Sequence, residues 1–273
     1  MMKFFKELFY EKIIAFYEGS NVVIGALMKL PFLKDKVTEE WYGEGKKTIQ
    51  NVLGGVMLFG KLLLEFVGKL VYIVLMTWIP WKILSGLCPL ILHQQELAVM
   101  YFFFVLSTVC GSLTNTTLFT VSNRDFMMLS VIRVNESKHY VGRMLYKMGT
   151  GLIFYAPALM IVGVTPLNAI LLSLVTTALR PVGELISILT HDRFRRIHKV
   201  KGTISGSLMA LSVVIAYLIP FYNRRVFYFW YHITGPAVVI VSLLLCAVSM
   251  YILWNYKHYD KIAKESIHIK RED

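Results

Sequence analysis

Of the 273 residues, 56% are apolar and only 17% charged, against about a quarter charged in ordinary soluble domains, so the composition argues against water as the solvent. Apolar runs of membrane-spanning length recur along the chain, and the class they indicate is an all-α polytopic membrane protein. The net charge of +12 would suggest nucleic acid in a soluble protein; here it is read as a positive-inside bias with no nucleic-acid partner.

The chain starts "MMKFFKELFYEKII", with charges every few residues where a cleavable signal would have an unbroken apolar core. Over 1–18, Lys3, Lys6, Glu7 and Glu11 form a polar stripe opposite Phe4, Phe5, Leu8, Phe9, Ile13 and Phe16. This predicts an amphipathic helix that Gly19 stops. A charged connector comes next. Residues 51–70 are apolar, yet Asn51, Gly54, Gly55, Lys61, Glu65 and Gly68 share one helical face, with Lys61 and Glu65 at (i, i+4). They read as a second amphipathic helix at the inner interface, so 1–70 is expected to be a cytoplasmic and interfacial region that precedes the spans.

Six transmembrane helices are predicted between 71 and 255, at 71–91, 97–121, 148–164, 167–190, 204–221 and 235–255. Trp78, Trp81, Trp230 and Trp254 fall near their ends, where amphipathic aromatics settle. Residues 1–70 hold ten Lys and Arg, and 122–147, 191–203 and 256–273 hold five each, while the three other loops hold only Arg224 and Arg225. That asymmetry predicts a multi-pass plasma-membrane protein with both termini, the two long connectors and the tail 256–273 in the cytoplasm. Cys88, Cys110 and Cys246 lie in or at the ends of apolar runs without CxxC spacing, and read as small buried hydrophobes.

The connector 122–147 is too charged for lipid and too apolar for water. Ser122 with Asp125 matches a capping signature, after which Met127, Met128, Val131 and Ile132 line one face and Arg133 another. The run breaks at "NES", where Ser137 can cap a second helix. Tyr140, Val141, Met144, Leu145 and Met148 then form an apolar stripe leading into the third span. Such helices can dock in a groove of a partner protein or lie on the inner leaflet, and from the residues alone both readings stand.

Within the spans the most unusual polar feature is "TALRPVGELIS". Arg180 and Glu184 stand at (i, i+4), with Pro181 and Gly183 loosening the helix between them, and read as an intramembrane pair facing the bundle interior. The aromatic segment 221–234 reads as a hairpin dipping into the outer headgroups, where Arg224 and Arg225 would meet lipid phosphate. No P-loop, zinc helix or nucleophile elbow occurs, so no catalytic residue, metal or cofactor is assigned to the chain. "HDRFRRIH" places His191 and His198 seven apart, which reads as a topology-fixing basic connector rather than a metal or phosphate site.

The order of these parts resembles the membrane (permease) subunits of ABC exporters of the six-span, type V kind. More locally, "RDFMMLSVIRVNESKHYVGRMLYK" and "LRPVGE" are similar to membrane subunits of peptide or drug exporters in Firmicutes. The resemblance implies a non-enzymatic subunit, with ATP bound and hydrolysed on a separate ABC ATPase and a second membrane half completing the assembly within the lipid bilayer. It also implies that Arg124, Asp125, Met127, Met128, Val131, Ile132, Arg133 and Glu136 belong to the segment that couples to the ATPase. The competing reading is a membrane scaffold that binds a cytoplasmic partner and transports nothing.

Overall fold

The computed structural model describes residues 16–17, 19–25, 27–29, 47–87, 94–116, 125, 128–129, 134–193, 201–222 and 231–262, and every regular element among them is helical. Contacts divide the chain into two units, 1–68 and 69–273. In the first, residues 19–25 are helical, so Gly19 does not end the helix as the sequence suggested. It serves close packing instead: a Cβ there would sit 3.0 Å from Met57 Cγ, and one at Gly54 would strike the Phe16 ring. Val52, Val56, Phe59, Leu63 and Leu64 are exposed on the same helix, an apolar surface suited to hydrocarbon.

Helix α1 (Lys47–Ile73) runs without a stop through a π-helical turn, Val74–Trp78, into α2 (Ile79–Leu87). The whole 40-residue run from Thr48 to Leu87 is about 60 Å long, twice the thickness of a hydrocarbon core. The boundary read between 70 and 71 is therefore not a break in the helix. Gly68 costs helix stability without ending it, since no proline or capping residue follows nearby. The π-turn has a local cause. Pro80 has no N–H and frees the carbonyl of Met76, four residues earlier. Tyr217 Oη donates to that carbonyl at 2.7 Å, and Thr77 Oγ1 donates to Ile73 O at 2.6 Å. In hydrocarbon a freed backbone group must find such an internal partner.

Helix α3 (Gln95–Leu106) is buried on all sides from Ala98 to Phe103 and continues as a π-helical stretch, Ser107–Thr114. Trp81, Tyr101, Phe102, Leu106 and Ala216 form a core cluster around it. Helix α4 (Glu136–Ile161) absorbs both the predicted amphipathic stripe and the third span. It ends at Gly163, whose φ of +98° only glycine adopts readily; Gly163 N donates to Met160 O and Val164 N to Leu159 O. Helix α5 (Pro166–Ala178) returns beside α4, with Gly151 so close to Thr177 that a Cβ would lie 2.7 Å from its methyl group.

The predicted fourth span is one apolar run, Pro166–His191, in which the single turn residue Leu179 separates α5 from α6 (Arg180–Arg193) just before Pro181, which cannot donate. α6 packs against the π-helical stretch, and a Cβ at Gly183 would fall on the Ser112 carbonyl oxygen. Helix α7 (Lys201–Tyr222) packs on α3, and α8 (Pro236–Asn255) on α5 and α6. Among the described residues five helices are long and apolar enough to cross a membrane, and the apolar part of α7, Thr203–Ile219, is shorter. Ile240, Val241, Leu244, Val248 and Tyr251 of α8 are exposed, as lipid-facing side chains would be.

Gly183→Ala sets a side chain against backbone, which cannot move aside as a flexible side chain can. We expect a loss of about 1–3 kcal/mol, read as a lower unfolding midpoint in detergent. Gly206→Ala, where a Cβ meets nothing within 4 Å, should hold or raise the midpoint.

Candidate functional site

Asn135 opens α4 with an extended backbone (φ −62°, ψ 121°), and its Oδ1 accepts from Lys138 N at 3.4 Å. Ser137 is the sequence candidate for this cap; it instead donates its hydroxyl to Asn135 Oδ1 at 2.6 Å. One turn on, His139 and Arg143 stand at (i, i+4) on one face of α4, and Asp125 of the connector meets both. His139 Nε2 lies 2.9 Å from Asp125 Oδ1, and Arg143 Nη1 lies 2.8 Å from Asp125 Oδ2. A carboxylate only accepts, so His139 carries its proton on Nε2. Asp125 is 4% exposed and His139 2%.

The connector is held by packing as well. Met128 and Leu129 are buried, and Val134 N donates to Met128 O at 3.0 Å. The apolar stripe of α4 points the same way: Tyr140, Val141 and Met144 are buried, whereas Leu145 is exposed. Tyr140 stacks on Tyr259 with ring centroids 6.0 Å apart and planes at 22°. Tyr259 comes after α8, in the segment read as a cytoplasmic tail. It is buried with Ile262 and donates to Leu253 O at 2.7 Å. Burial, reinforced by the charge of Glu184, pushes the Tyr259 phenol above its ordinary range.

Glu184 is 1% exposed, and Arg180 Nη2 donates to Asn115 O at 3.4 Å. Lys147, two turns along α4 from Tyr140, lies within electrostatic reach of Arg180, Arg143, Glu184 and Asp125. The connector, α4, α6 and the segment after α8 thus meet in one buried junction. Two carboxylates, Asp125 and Glu184, stand there among three cations, Arg143, Lys147 and Arg180.

Of the residues that the sequence nominated, Asp125 and Met128 face inward and are committed to the chain's own interior. Both oxygens of Asp125 are engaged by α4, and the cap that the sequence assigns to it with Ser122 falls on a residue outside the described ones. Glu136 is half-buried in the first turn of α4. Arg124, Met127, Val131, Ile132, Arg133, Arg224 and Arg225 lie outside the described residues, as do Ser122, Cys88 and His198. Sequence reasoning misses His139, Arg143 and Tyr259. The first two have a signal in "HYVGR", where polar residues four apart flank an apolar run; for Tyr259 no local signal exists. His191 is buried at the end of α6, and among the described residues no three His, Cys, Asp or Glu side chains gather as metal ligands. Among the described residues the arrangement ties the connector to α4 through a buried carboxylate.

No family model, curated protein or solved structure matches the chain.

Asp125→Ala takes the carboxylate from both His139 and Arg143 and should cost about 3–5 kcal/mol, whereas Arg143→Ala leaves Asp125 bonded to His139 and should cost less. The double change Asp125→Ala, Arg143→Ala should cost clearly less than the sum of the two. Denaturant unfolding of the four proteins in mild detergent measures this coupling, and strict additivity would argue against the junction.

Proposed function

We propose that the chain is the membrane subunit of an exporter, multi-pass in the plasma membrane, with its basic connectors and both termini in the cytoplasm. A separate ABC ATPase drives it by moving the connector, and a second membrane half completes the pathway for a peptide or drug-like substrate. The observation that carries this reading is the anchoring of the connector by Asp125 to α4. A segment fixed by a buried charge pair and two buried apolar side chains moves with its helix rather than sliding over it. Through Tyr259 and Glu184 that motion would reach the segment after α8 and α6 as well.

Asp125 and Met128 are assigned to this anchor and not to the surface that a partner touches. The partner-facing role passes to the remaining coupling residues, Arg124, Met127, Val131, Ile132 and Arg133, with Glu136 at the edge. The charge asymmetry supports the orientation, and the resemblance of "RDFMMLSVIRVNESKHYVGRMLYK" and "LRPVGE" to exporter subunits supports the partner class. A scaffold that only binds a cytoplasmic protein would have no need for a connector tied by a buried carboxylate to a membrane helix.

A photo-crosslinking amino acid placed at 124 or 133 in the native host tests the partner. The expected adduct is with a protein carrying the G-x-x-x-x-G-K-[ST] phosphate loop. Adducts confined to lipid, or to proteins without a nucleotide site, would overturn the ATPase-driven reading and favour the scaffold.

A further inference from the structure

At the end of the bundle opposite the junction, α3, α5 and α8 all begin, around a cleft of about 1000 Å³. Glu96 stands in its wall. Its Oε1 accepts from Thr165 N at 2.9 Å, from Thr165 Oγ1 at 2.6 Å and from Asn168 Nδ2 at 3.0 Å. Asn168 is itself fixed, its Oδ1 accepting from Thr234 Oγ1 at 3.0 Å, and Gln95 Nε2 donates to Val162 O at 2.9 Å. One carboxylate oxygen is thus committed to holding the starts of α3 and α5 together, and Asn168 carries the link on to Thr234 before α8. The other, Oε2, receives no donor from the described residues, and Glu96 is the only Asp, Glu, Lys or Arg among the described lining side chains, which also include His232.

We infer that this cleft is a binding site for a small molecule bearing a primary ammonium group on an apolar body. The ammonium would meet Glu96 Oε2, and the apolar body would lie on Leu97 and Met100, which also line the cleft. Helix N-termini ordinarily favour anions, but two features here reverse that preference. The N-terminus of α5 already has its anion in Glu96, through Thr165 N. Both α5 and α8 begin with proline at the first helical position, which removes an N–H that an incoming anion would use. What remains to the ligand is a carboxylate oxygen. The volume is at the upper end of ordinary small-molecule pockets. That the bound molecule is a transported substrate rests on the exporter reading; that it binds does not, and the two experiments fail separately.

The test is calorimetric titration of the full chain in lipid nanodiscs with phenethylammonium, 2-phenylethanol and phenylacetate, which share a ring and differ in charge. Phenethylammonium should bind saturably and more tightly than the other two. Glu96→Gln, which keeps an acceptor for Thr165 but loses the charge, should weaken it about tenfold or more. Gln94→Lys, which adds a cation at the cleft and leaves the Glu96 hydrogen bonds in place, should do the same if Glu96→Gln fails to fold. Phenethylammonium that does not saturate, three probes that bind alike, tightest binding by phenylacetate, or binding indifferent to the substitutions would overturn the inference.

Discussion

A carboxylate taken out of water keeps its charge only where donors replace the lost hydration, and Asp125 meets that condition with both oxygens. The donors are His139 and Arg143, on successive turns of one helix, so a single residue of the connector sets its position along α4. Met128 and Leu129 then exclude water from the same place, and Tyr140 and Tyr259 extend the packing to the segment after α8. Without the carboxylate, two donors would be buried beside an apolar stripe with no anion between them. The remaining geometry of this end of the bundle, including the placing of Glu184 and Lys147, depends on that compensation.

The same requirement, that no polar group be left to hydrocarbon, shapes the helices themselves. Pro80 frees Met76 O, and the answer is a π-turn plus a tyrosine hydroxyl brought in from α7. Pro181 follows the single turn residue Leu179 inside the fourth apolar run, and Gly183 lets α6 approach the backbone of Ser112, itself in a π-helical stretch. Such irregular turns recur where membrane helices must bend without losing hydrogen bonds. Here they lie beside α2, α3 and α6.

Helical periodicity and span length are local properties, which is why much of this architecture is legible in the sequence. The stripe Tyr140, Val141 and Met144 reads as one apolar face, and all three side chains are buried as a face should be. The weakness at Pro181 is readable from proline chemistry alone. Partner choice is not local, and there the sequence is silent. Spacing pairs Asp125 with Ser122, which lies outside the described residues, and gives no hint of its partners on α4, 14 and 18 residues away. Ser137 and Asn135 are both good caps, and only the backbone angles at Asn135 decide between them. Gly19 looks like punctuation, whereas it is helical. Tyr259 sits in a polar tail whose composition says nothing of a stacking partner more than a hundred residues earlier.

Coupling through the junction requires that the connector face inward and be anchored on the basic side of the membrane. Single cysteines at 128 and 135, in a chain whose native cysteines are replaced, test both points with a membrane-impermeant maleimide. Asn135 is exposed and Met128 only 2% exposed. Position 135 should react rapidly in inside-out vesicles and not in intact cells, while position 128 should stay protected in both until the protein is unfolded. Labelling of 128 as fast as 135 would contradict the anchored connector, and labelling of 135 in intact cells would contradict the orientation.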